Sequence, residues 1–209
     1  MHLLKIGTAL LGISAALAPI LAVAGDAYRY SNLAVGFAVE KPQTWYFLTA
    51  QSIVENRERM RLRDDELAEQ VRQRARLPLV AISKYEDPEA RPDVTPTVQI
   101  VLSLLGTQQN LSAAKLLEVV VAQLRSGLSD FRVVAPIRAT AVSGLGAAHM
   151  VATYTIGNQA GGSFEVRTRV WIIPRGEVAF IIGMAGQAEG SDVAEEEFSA
   201  ILQSIRIEP

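Results

Sequence analysis

GAAHMVATYTIGNQAGGSFEVRTRVWIIPRGEVAFIIGM, residues 146–184, contains three apolar-rich runs separated by two turns, with no helical stretch between them. The first run, 148–156, ends in Gly157-Asn158-Gln159-Ala160-Gly161-Gly162, a turn by composition. The second, 163–173, alternates with period two. Phe164, Val166, Thr168, Val170 and Ile172 share one face, and Glu165, Arg167, Arg169 and Trp171 share the other. Pro174-Arg175-Gly176-Glu177 turns the chain into the third run, 178–184. Strands that follow one another without a helix pair antiparallel, so the segment reads as a three-stranded meander.

Beyond the meander, residues 183–190 read as a small-residue loop. A last helix then starts near Asp192, whose side chain can cap it with Glu195 three residues on. Phe198, Ile201, Leu202 and Ile205 recur at i, i+3, i+4 and i+7, one face of a helix. Upstream, 131–141 is strand-like, with Pro136 marking an edge or a bulge. The clearest helix covers 112–126, where Leu116, Leu117, Val120, Val121 and Leu124 make a broad apolar stripe. Ser112 can cap its start and Gly127 can close its end.

Strands are also expected at 97–105 and 77–84, separated by a proline-rich loop at 85–96. Near the N-terminus, Tyr28-Arg29-Tyr30 reads as a strand, Ser31-Asn32 as a turn, and 35–40 as a second strand ended by Lys41-Pro42. Trp45, Tyr46 and Phe47 form an aromatic cluster suited to the core. Residues 49–76 differ from the rest: acidic and arginine side chains alternate with a thin apolar stripe, and no Gly or Pro interrupts them. They are expected to form exposed helix with i,i+4 charge pairs, either a mobile arm for partner contact or a fixed cover over one sheet face. An antiparallel sheet is the surface on which the amphipathic helices can bury their stripes, which makes the chain an α+β protein.

The strand-turn-strand at 30–40 followed by Pro42-x-x-Trp45 resembles the opening of PsbP-like domains. The late hairpin, the returning strand and the terminal Phe198-x-x-Ile201-Leu202-x-Ser204-Ile205 resemble their C-terminal half. This fold is shared by the photosystem extrinsic protein PsbP, the Ran-binding protein Mog and periplasmic DcrB-like proteins. The resemblance covers most of residues 28–208. It implies an α/β/α sandwich around an antiparallel sheet and a scaffold or binding role rather than a shared catalytic site.

The first 24 residues read as an export signal: one cation at Lys5, an apolar run at 6–21, and Ala22-Val23-Ala24 as the small-x-small cleavage pattern. The expected mature chain, 25–209, is a single domain that is periplasmic or secreted, with no stable membrane insertion after cleavage. No Cys follows the apolar run, so lipoprotein-type anchoring is not expected, and no twin-Arg pair precedes it. Without Lys5 the chain has 19 basic against 22 acidic side chains, too balanced to point to nucleic acid as a partner. With no Cys anywhere, the domain holds together by burial alone.

His149 is the one histidine of the mature chain, which leaves little for nucleophilic or metal chemistry; it reads as structural. No catalytic, cofactor-binding or metal-binding residue is expected. Gly183, Gly186 and Gly190 precede a helix start but match no phosphate loop, and Asp192 and the glutamates at 195–197 would repel an anion. Asp64-Asp65 and Glu195-Glu196 read as solvated pairs rather than catalytic ones. Glu165, Arg167, Arg169 and Trp171 form the best candidate for a partner-binding row, because Arg and Trp anchor interfaces. The alternative for this row is burial under a helix, with the arginine heads snorkelling or paired. The expected function is a non-enzymatic binding or accessory protein of the cell envelope, contacting another envelope protein. A carboxylate-based hydrolase and a carrier of a small apolar ligand are the other readings.

Overall fold

Residues 27–51, 53, 77–86, 94–157, 162–189 and 194–208 are described by a computed structural model. The export-type segment, residues 54–76 of the charged stretch, and Asp192 lie outside them. Four long consecutive strands make up one side of the main sheet. These are β6 (Ser129–Val142), β7 (Leu145–Gly157), β8 (Ser163–Arg175) and β9 (Val178–Gln187), each antiparallel to the next. The meander therefore has four strands, with one more hairpin than the three runs suggested. Its first turn is Ser143-Gly144, both at positive φ (52° and 78°), which matches the twist of the strands it joins. β5 (Thr97–Leu104) pairs with the far side of β9, followed by β4 (Val80–Ser83) and β3 (Tyr46–Phe47). The result is a seven-stranded sheet in the order β3-β4-β5-β9-β8-β7-β6.

Helices cover both faces. α1 (Ala113–Gly127) packs Leu116, Leu117, Val120 and Val121 on Met150, Val170, Ile172 and Ile181. Ser112 caps it as expected, its Oγ accepting from the Lys115 amide at 3.3 Å. Gly127 does not close it in a left-handed turn: it is the last, buried helical residue, and extended Leu128 donates its amide to Leu124 O. On the opposite face lies α2 (Glu195–Ser204), with Phe198 and Ile201 buried, Leu202 partly buried, and Ile205 buried just past the helix end. Its first residue is preceded by Ala194, which makes no side-chain cap; the expected Asp192 cap lies outside the described residues. Residues 183–187 are part of β9, not loop: Gly183 and Gly186 pair with Val170 and Arg167.

A second, three-stranded sheet of β1 (Arg29–Asn32), β2 (Phe37–Glu40) and β10 (Arg206–Ile207) sits beside α2. Ser31 and Asn32 belong to β1; the chain turns one step later, through a short 3-10 turn at Leu33–Val35. That turn ends at Gly36, whose φ of +56° favours glycine and where a Cβ would meet the Glu208 Cβ at 3.0 Å. Gly36→Ala is expected to destabilise the protein by at least about 1–2 kcal/mol, from the left-handed conformation alone. Urea unfolding of the variant measures this. Trp45 is buried as expected and Phe47 partly so, while Tyr46 between them is 41 % exposed because β3 alternates across an edge.

Candidate partner-binding face

β8 is covered on both sides, and its row Glu165, Arg167, Arg169 and Trp171 lies on the α2 side. Trp171 is 7 % exposed and joins the core with Ile173 and Ile182. The His149 ring from β7 stacks on it, centroids 4.3 Å apart and 23° between planes. Arg169 runs under α2: its guanidinium pairs with Glu195 and lies 5.7 Å from the Phe198 ring centroid. Burial, and then the neighbouring Arg167 charge, push its pKa down. Burial under a helix, the alternative weighed from the sequence, describes these two residues. Glu165 is exposed, and Arg167 lines a small recess with Ala194, Glu195 and Phe198 at the start of the helix.

The register extends this row across three strands. Arg167 is level with Thr153 on β7 and Arg132 on β6, and Trp171 is level with His149 and Arg138. Arg132 reaches Glu165 at 3.3 Å and stays largely exposed. Arg138 is exposed and makes no hydrogen bond or ion pair among the described residues. Arg167 is half-buried, and its Nε is shut away from water with no acceptor. A buried unpaired donor is uncommon enough to require an explanation. Sequence reading named Arg167 but missed Arg132 and Arg138. The signal was there in the strand pattern of 131–141, but the cross-strand register that aligns them with β8 depends on irregular pairing around Pro136.

His149 sits among these cations. Burial first, then Arg169 and Arg138, lower its pKa below 6.5. The folded protein therefore keeps the ring neutral where the unfolded chain protonates it. Stability is expected to fall as pH drops below about 6.5, since the unfolded state then binds the extra proton. Urea midpoints measured on either side of that pH, for wild type and for His149→Phe, which retains the stack, check this; the variant should show the shallower dependence.

Glu195 faces Arg169. Glu197 accepts from the Trp45 Nε1 at 3.0 Å and pairs with Lys84 at 3.2 Å. Glu196 between them is exposed, so Glu195 and Glu196 do not converge. Among the described residues no group of three or more His, Asp or Glu could hold a metal ion. No helix among them is long and apolar enough to cross a membrane. Beside the small sheet, Tyr30, Phe47, Leu48, Ile53, Leu77 and Leu79 line an open, largely apolar recess of about 230 Å³.

An antiparallel sheet with a helix on each face is the layering that the PsbP-like resemblance implies. Among solved structures, the fold is similar to that of LpqN of Mycobacterium tuberculosis, described as involved in cell envelope biogenesis. The two are 15% identical, with 83% of each chain covered and a TM-score of 0.50. The cyanobacterial PsbP of Synechocystis is 11% identical, over 88% of this chain and 95% of that one, with a TM-score of 0.48. The likeness to LpqN is one of fold. No protein-family model and no curated protein matches the chain.

Proposed function

We propose that this is an exported, non-catalytic accessory protein of the cell envelope that works by contact with another protein. The contact uses the β6 side of the sheet, where Arg132 and Arg138 lie on β6 and Arg167 is level with Arg132 two strands away on β8. The observation that carries the reading is the cationic surplus there. Arg132 and Arg169 have carboxylate partners, while Arg138 and Arg167 have none among the described residues. Exposed arginines at a polar rim set the specificity and on-rate of association. The export-type segment at residues 1–24 supports an envelope location, as does the envelope role in LpqN's description. Affinity capture from native envelope extract tests the reading. Wild type should retain a protein that Arg138→Glu does not; identical captures by the two would refute contact through this face.

The apolar recess at Phe47 and Leu77 favours a second reading, carriage of a small apolar ligand. Native mass spectrometry of protein purified from the envelope separates the two. A co-purifying lipid-sized molecule, lost in Leu79→Glu, belongs to the carrier alone.

A further inference from the structure

β6 ends the seven-stranded sheet, and among the described residues only β7 pairs with it. Its other edge runs along a fourteen-residue strand, of which alternate residues present backbone donors and acceptors still to be matched, Pro136 having no donor. Edges of this kind accept an extended peptide as an added strand. Register shifts between Ser129 and Arg138 interrupt the pairing with β7; burial alternates up to Pro136, and 138–142 pair in register with β7 but are exposed from 138 to 141. Each stretch contains one exposed arginine on the α2 face, Arg132 before the proline and Arg138 after it.

A second copy of the chain is a poor occupant. Antiparallel self-pairing about Ala135 would set Arg132 of one β6 against Arg138 of the other, and like charges directly opposite destabilise a sheet. An acidic strand has the complementary pattern. Arg132 and Arg138 are level with Thr153 and His149, four residues apart on β7, a rise of about 13 Å. Carboxylates at i and i+4 of an extended chain lie on one face with that spacing. Anionic lipid fits less well, since it calls for a cluster of four to eight cations, whereas β6 carries two; the exposed Arg132–Glu165 pair is weak enough for an incoming carboxylate to compete with it.

We propose that the outer edge of β6 takes an extended acidic segment of a partner protein, its carboxylates four residues apart and set against Arg132 and Arg138. This rests on the protein-contact function above and names the partner's chemistry. The edge supplies main-chain hydrogen bonds, and the arginines choose acidic over neutral strands.

The probe is a synthetic peptide of about nine residues, alternating Thr and Val, with Glu at two positions four apart. A second peptide has Gln at both. Two-dimensional NMR of the full mature chain follows the β6 amides and the His149 ring, the one imidazole beyond residue 24. The Glu peptide should shift both saturably, and the Gln peptide should bind at least about tenfold more weakly. Arg138→Gln, at an exposed position, should weaken the Glu peptide by a similar factor with an unchanged amide spectrum elsewhere. Equal binding of both peptides, shifts confined to other strands, or no binding would overturn the acidic-strand assignment. Those outcomes leave protein contact standing if envelope capture still depends on Arg138. Binding to phosphatidylglycerol vesicles through the same arginines, with no peptide binding, would overturn both.

Discussion

Trp45→Ala is expected to cost about 3–5 kcal/mol of stability, among the largest effects of any single substitution here. The indole is 1 % exposed and meets Phe198 of α2 edge-on, with centroids 5.8 Å apart. Its Nε1 donates to Glu197 Oε1 at 3.0 Å. Glu197 is also the partner of Lys84, just past β4, so one indole ties the last helix to the β3–β4 end of the sheet. Alanine would leave a cavity and remove a donor from a partly buried carboxylate at once. Urea unfolding monitored by far-UV circular dichroism measures the loss. Glu197→Gln keeps an acceptor for the indole and should lose much less, which separates packing from charge. A loss below about 1 kcal/mol for Trp45→Ala would mean that α2 is held by other contacts.

Phe180→Ala should cost a similar amount, about 3–5 kcal/mol, by a different route. Phe180 is fully buried on β9 and stacks on Phe37 of β2, with centroids 5.5 Å apart and 20° between planes. Arg175 lies over the same ring at 5.8 Å and donates through Nη1 to the carbonyls of Val35 and Glu208. Phe180 is therefore the seat on which the small sheet rests against the large one. Its loss should loosen β1, β2 and β10 together. Hydrogen exchange of the β2 amides should quicken more than that of α1, which packs on the opposite face. Uniform quickening over both faces would contradict the seat.

How much of this could be read from the amino acids varies with how local the cause is. The stripe Leu116, Leu117, Val120 and Val121 and the Ser112 cap are local, and both are present as read. The period-two alternation of 163–173 fixed which side chains share a face, but not which face is covered. Trp171 is buried and Arg169 partly so because α2 comes back over them, Glu195 being 26 residues on from Arg169. β10 was not legible at all. Two residues make no pattern, and they are held by distant groups: the Ile207 amide donates to Ser143 Oγ at 2.9 Å, and Arg175 grips the Glu208 carbonyl. Reading 183–190 as loop overweighted its glycines; pairing with β5 and β8 keeps 183–187 extended. Arg132 and Arg138 escaped notice for the same reason as β10. Their grouping with Arg167 exists only once β6, β7 and β8 are in register. The charged stretch at 54–76, arm or cover, lies outside the described residues.

The central claim is that the protein works by contact through the arginine side of its sheet. Hydrogen exchange of the mature chain, alone and with the purified protein that it captures from the envelope, tests this most directly. The account predicts slower exchange in β6 and β8 on addition of the partner, with α1 amides unchanged and the effect lost in Arg138→Glu. Protection confined to α1, or protection that Arg138→Glu leaves intact, would contradict it.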